Sequence, residues 1–299
     1  MKALFPILLI TMLFGCKQPA KQYIFDNKPW LPPLTVYATT NGDKIVFLDN
    51  FYTAYLNASR VSTGIKNKNN FYMQFVCEYF TEKKYWRDLE TWFLSVTAPD
   101  TARLAEYAYT LKVKQEEIFE LITCALTDAD KNLKNDSITI YIKPSNIESN
   151  RYNMKHIEIN IDTAITNWKQ KIKFCIAWKF YNAYCMGKRI NYCNNLLADI
   201  IETGRAASFA HLVCPDIKYP WTKEIIVNDE RHLWRKIKPD LQWVDYMRRH
   251  EIMQGSNSTD IDALGYHIVQ SALKHHPELT PEQWTNLAPE KILEMSDYK

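Results

Sequence analysis

The sequence predicts a predominantly helical α+β protein, and three observations carry that reading. Apolar and aromatic residues recur at three- and four-residue spacing through most of the chain, as in Phe75, Tyr79, Trp86, Leu89, Trp92 and Phe93. Two short stretches break that period, Ser137–Ile142 and His156–Ile161, where β-branched residues alternate along the chain as they do in strands. Glycine is scarce: the 299 residues contain 7, at 15, 42, 64, 187, 204, 255 and 265. That spacing excludes a dinucleotide fingerprint, a P-loop and a serine-hydrolase nucleophile elbow, all of which need closely spaced glycines. An aromatic content of 13% argues against disorder.

The elements follow in order. Residues 26–60 open irregularly around Pro29, Pro32 and Pro33, then give a strand near Lys44–Leu48 and aromatic helical text. Helical spacing runs from Phe71 to Leu133, with a capping box at Thr97-Ala98-Pro99-Asp100. Within it, Val113–Leu126 forms a helix with Ile118, Leu121, Ile122 and Ala125 on one face. The two strands at 137–142 and 156–161 are expected to be sheet neighbours. Asp162 and Thr163 open a long helix to about Met186, and a second runs from about Asn194 to Val213. After Pro215 and Pro220 come helices near Asp229–Ile237 and Leu241–Met253, then Asp260–His275 capped by Ser258 or Thr259. Thr280-Pro281-Glu282-Gln283 is a capping box, and Pro289 starts the last helix. With no internal repeat and no low-complexity linker, residues 31–299 read as a single domain.

The N-terminus points to an address. Lys2 precedes an apolar run, Ala3–Phe14, too short to span a bilayer and suited to a signal peptide. The ending Leu13-Phe14-Gly15-Cys16 resembles the lipobox of bacterial lipoproteins. That resemblance implies cleavage after residue 15 and acyl chains of the palmitate kind on Cys16. Two or three such chains, at about 0.8 kcal/mol per buried CH2, hold a protein firmly on a membrane. Residues 16–30 then form a polar tether without an acidic run, which fits a bacterial outer-membrane lipoprotein facing the periplasm. A formal net charge of +3 is too small and diffuse to suggest a nucleic-acid partner.

Six other cysteines remain: Cys77, Cys124, Cys175, Cys185, Cys193 and Cys214. Cys175 and Cys185 lie about 15 Å apart along one helix, beyond disulfide reach. The spacings match no zinc knuckle or thioredoxin site, so single buried thiols are expected. Among the histidines no two stand at i, i+4; His250-Glu251 begins like a metallopeptidase motif, but Gln254 holds the second histidine position. Arg231–Arg235 and Arg248-Arg249-His250 read as solvated basic faces, with anionic head groups or acidic partners as the alternative. His275-His276 complement the dipole at a helix end.

The helix over 172–186 is apolar nearly all round and is expected at the centre of the domain. Lys179 and Asn182 are its polar exceptions after Lys173. A buried lysine is costly unless paired, so Lys179 either reaches solvent or finds a partner. From about Ser137 onward the chain resembles the zincin-type group of zinc-dependent peptidases that includes the gliding-motility lipoprotein GldB. The resemblance rests on Ala177-Trp178-Lys179-Phe180-Tyr181-Asn182-Ala183, where that family carries Ala-His-Glu-x-x-His-Ala. It rests also on Glu202-Thr203-Gly204-Arg205-Ala206, on Gly265-Tyr266-His267-Ile268-Val269, and on the tail Leu293-Glu294-Met295-Ser296-Asp297-Tyr298. It implies a zincin-like core with a small sheet over about residues 137–299.

The departures decide the chemistry. Zinc in such enzymes takes three protein ligands, two of them histidines at i, i+4. At those places stand Trp178, whose indole offers no lone pair, and Asn182, a poor zinc ligand. Lys179 replaces the glutamate that would activate water, and Glu202 is the surviving ligand position, one residue out of register. The resemblance therefore implies a degenerate, non-catalytic member with no metal or other cofactor, and with Lys179 and Glu202 forming an ion pair where zinc would sit. Its expected role is binding or assembly with an envelope protein partner, by analogy with gliding or secretion machinery. Two other readings stand beside it: an active envelope hydrolase or metallopeptidase with a non-standard site, and a periplasmic ligand-binding module.

Overall fold

Both period-two stretches form strands, and the next helix in the chain after the second is a long one. The computed structural model describes residues 33–61, 68–80, 101–145, 154–162, 166–190, 194–217, 227–243, 245–254 and 258–298. The expected signal peptide and tether, Cys16, Cys193 and the capping box at 97–100 lie outside them. Helices dominate, around one small mixed sheet. In chain order these are β1 Thr35–Ala38, β2 Lys44–Phe47, α1 Asp49–Val61, α2 Lys68–Phe80, α3 Thr101–Val113 and α4 Gln115–Asn132. Then come β3 Thr139–Pro144, β4 His156–Ile161, α5 Trp168–Gly187, α6 Leu196–Val213 and α7 Val227–Ile237. The chain ends with α8 Tyr246–Gln254, α9 Ser258–His275, α10 Pro281–Asn286 and α11 Pro289–Met295. Among the described residues, no helix is long and apolar enough to cross a membrane.

The sheet runs β1-β2-β3-β4, with β1 antiparallel to β2 and the other pairs parallel. Strand β1 falls in a segment read as irregular. Its turn is where glycine is required, since Gly42 sits at φ +88° and its amide donates to the Thr39 carbonyl. One face of the sheet is apolar and mostly isoleucine. Ile45, Phe47, Ile140, Ile142, Ile157 and Ile159 point into the main core with residues of α4, α5, α6 and α9. The opposite face carries Val46 and Tyr141, which pack with Phe51, Tyr52, Tyr55, Tyr72 and Phe75 of α1 and α2. On this sheet Lys143 and Glu158 form a buried ion pair, Nζ to Oε1 at 2.7 Å. Burying both charges is tolerable because each answers the other.

Three element expectations are corrected. The long helix begins at Trp168 rather than at residues 162–163, because the chain turns at 166–167 before it winds up. The helix expected from Leu241 starts at Tyr246 instead. Residues 241–243 turn aside so that the carbonyls of Leu241 and Trp243 accept from the amides of Leu197 and Leu196, completing the first turn of α6. Single buried thiols describe Cys185 and Cys214, but Cys124 is exposed. The capping box at Thr280 forms as expected, with Thr280 and Gln283 exchanging side-chain to backbone bonds.

Helices α6 and α9 cross at a place where neither tolerates a side chain. A Cβ on Gly204 would overlap the backbone carbonyl of Gly265, and one on Gly265 would overlap the carbonyl of Ile200. This contact sets how closely α6 and α9 approach, and α6 packs against α5 on another side.

Candidate functional site

Helices α5 and α6 are amphipathic in neither case; both are largely buried, so their few polar side chains must face one another or a cavity. Trp178 and Asn182, one turn apart on α5, and Asp199, Glu202 and Thr203 on α6 line a cavity of about 460 Å3. Helix α8 closes it with Tyr246, Arg249, His250 and Met253, and Asn194 stands at its edge. Three of the four positions predicted from sequence thus meet in one place, and the one-residue shift in the Glu202 segment does not take Glu202 out of it.

Lys179 is the exception. It is buried, and its Nζ donates to the backbone carbonyl of Glu158 on β4, so it does not snorkel to solvent. The Lys179–Glu202 ion pair does not form; the charges that act on Glu202 are those of Asp199 and Arg205. The reason is angular. Residue 179 lies a quarter-turn or so from 178 and 182 on the helix, toward the sheet rather than the cavity.

The electrostatics of the cavity come from residues that sequence reasoning did not single out. Arg249, read as part of a solvated basic face, is 5% exposed. Its Nη1 bonds Asp199 Oδ2 at 3.0 Å and its Nη2 donates to Asn194 Oδ1 at 2.6 Å. Burial pushes the Asp199 carboxyl up from its ordinary value, and Arg249 opposes that shift. The Glu202 carboxyl is likewise raised, first by burial and then by Asp199, against the pull of Arg205. Asp199 and Arg249 are 50 residues apart, on helices with α7 between them, so no local pattern could have paired them. The available signal was Glu202 itself: Asp199 stands one helical turn before it.

The donor set does not fit zinc. Trp178 and Asn182 stand at one helical face where two imidazoles would be needed, and Asp199 is engaged by Arg249. Among the described residues, no group of three His, Cys, Asp or Glu side chains is placed to hold a metal ion.

The other motif residues have structural partners. Arg205, fully buried, donates from Nη2 to the Leu287 carbonyl at 2.6 Å. In the tail, Asp297 accepts from Ser271 Oγ at 2.8 Å and contacts His275 Nε2 at 2.9 Å. The Tyr298 hydroxyl donates to Glu230 of α7, which also meets His267 Nδ1 at 3.1 Å. His275 is therefore held by a carboxylate rather than by a helix end alone. A second cavity, about 550 Å3, lies beside this tail and contains none of the four predicted positions.

Residues 181–294 match the family model described as a predicted Zn-dependent protease (DUF2268). The match takes in Asn182, Glu202, Gly204 and Gly265 and begins just after Trp178 and Lys179. It supports a zincin-like, peptidase-related domain at a coarse level. No curated protein matches the chain, and no solved structure does.

Proposed function

We propose that this chain is a lipid-anchored cell-envelope protein whose peptidase-like domain does not hydrolyse peptides and serves in binding or assembly. The donor set of the cavity carries the non-catalytic part of this reading. Trp178 and Asn182 occupy the helical face that metal-binding histidines would need, and Lys179 is committed to the Glu158 carbonyl on the far side. The Leu13–Cys16 ending supports the anchor at Cys16, and the analogy to gliding and secretion lipoproteins supports an envelope protein partner. A small-ligand role is compatible with this and is favoured by the cavity, which falls within the size range of ligand sites.

Elemental analysis of the purified full-length chain tests the non-catalytic reading. The expected result is substoichiometric zinc; one tightly bound zinc per chain with peptidase activity removed by chelation overturns it. Fractionation tests the anchor, because Cys16→Ser should move the protein from the membrane to the soluble fraction.

A further inference from the structure

The cavity between α5, α6 and α8 offers more hydrogen-bond acceptors than its own residues satisfy. Asn182 is 3% exposed and lines it. Its Nδ2 donates to the Trp178 carbonyl at 3.1 Å, and among the described residues nothing donates to its Oδ1. The Glu202 carboxylate lines the same space, and no hydrogen bond or ion pair of the described residues engages it. Its neighbour Asp199 differs, because Arg249 bonds it. Two of the cavity's donor groups are turned to its own acceptors, although the Arg249 Nε finds no partner among the described residues. Arg249 spends both terminal nitrogens on Asp199 and Asn194, and the Thr203 hydroxyl donates to the Asp199 carbonyl at 3.1 Å. The acceptors that stay open are a carboxylate and an amide oxygen, beside the Trp178 and Tyr246 side chains.

Open acceptors call for a donor, and a half-buried carboxylate calls for one that carries charge. Aromatic faces favour the same ligand, since a cation gains from the ring quadrupole. An anion is disfavoured by Glu202. The buried Arg205 behind Glu202 directs its Nη2 to Leu287 and does not fill the cavity. We propose that this cavity binds a protonated primary amine, as a lysine side chain of a peptide or as a free alkylamine, with Glu202 and Asn182 Oδ1 as its acceptors. The proposal rests on reading the cavity as a binding site rather than a zinc centre.

Calorimetric titration of the full-length chain in detergent, after treatment with chelator, tests it. The probes are N-acetyl-lysine methylamide, cadaverine and the uncharged N-acetyl-norleucine methylamide. Saturable binding of an amine, at least about ten-fold tighter than the norleucine compound, is expected. Glu202→Gln should lose about ten-fold in affinity and Asn182→Ala less than that. Tighter binding of the lysine compound supports a peptide source, and tighter binding of cadaverine a free amine. Equal binding of the norleucine compound, no saturable binding of either amine, or full affinity in a folded Glu202→Gln protein overturns the proposal. The norleucine comparison needs no variant, so it decides the matter even if Glu202→Gln fails to fold. Zinc in the untreated chain would instead overturn the non-catalytic reading, so the two failures are distinguishable.

Discussion

Two regions of the C-terminal half of the chain behave differently. At the crossing of α6 and α9 and along the tail, the motif residues are held in place: Gly204 meets Gly265, Arg205 reaches Leu287, Asp297 meets Ser271 and His275, and Tyr298 meets Glu230. In the cavity a few residues away, Trp178 and Asn182 share one helical face, and Glu202 makes no hydrogen bond or ion pair among the described residues. The motif residues of the first region are tied down by packing and hydrogen bonds, while those of the cavity leave acceptors open. A family likeness of this kind speaks for the fold, and the chemistry has to be read from the cavity-facing atoms one by one.

The largest expected effect would break this comparison by refilling the cavity. Trp178→His with Asn182→His places two imidazoles on one helical face opposite Glu202. The doubly substituted chain should hold one zinc per molecule by elemental analysis. At free zinc near 1,000 times its Kd, thermal unfolding should show stabilisation of about 4 kcal/mol, against none in the parent. Next comes damage to the scaffold. Gly204→Ala forces α6 and α9 apart and should cost about 3 kcal/mol in denaturant unfolding. A change below about 1 kcal/mol would show that the crossing relaxes easily. Tyr298→Phe removes one charge-assisted bond to Glu230 and should cost about 1–2 kcal/mol in the same assay.

The smallest effects separate the two regions by sign. Glu202 has a folded-state carboxyl raised above its ordinary value of 4.5 by burial, then by Asp199. The folded state holds that proton more tightly, so stability falls as pH rises from 4.5 through the raised value. Asp297 is the reverse. The Ser271 hydroxyl, then His275, holds its carboxyl below 3.8, so its contribution is present above that value and is lost as pH falls through the lowered one. NMR titration of side-chain carboxyls should show the two midpoints displaced in opposite directions; a shared direction would erase the contrast.

Thiol labelling sharpens the buried core in the same way. Burial pushes Cys185 up to about 12 and Cys214 to about 11, while Cys124 is exposed. Among these three, only Cys124 should alkylate readily in the native protein at pH 8.

Local signals were legible in the sequence, and long-range ones were not. The strands at 139–144 and 156–161 showed through their period of two, and the Thr280 box through its spacing, because both are properties of a few adjacent residues. Strand β1 was missed because it has four residues beside a proline cluster, although Asn41-Gly42 was a hairpin signal in plain view. Trp178, Asn182 and Glu202 came together as their motif spacing implied, whereas Lys179 did not, since one residue of helical rotation sends it toward the sheet. Arg249 looked solvated because its partners, Asp199 and Asn194, lie on a different helix and at its approach. The break at 241–243 was invisible for the same reason: its cause is the start of α6, not the local sequence.

Lys179 acquires a different meaning from its bond to Glu158 than from its place in a motif. Strand β4 is outermost in the sheet of the described residues, and an outermost strand presents backbone groups that another chain can pair with. A lysine cation already seated on the Glu158 carbonyl takes one of those groups out of play. Lys179 thus serves as a stopper against edge-to-edge association at that point of the strand.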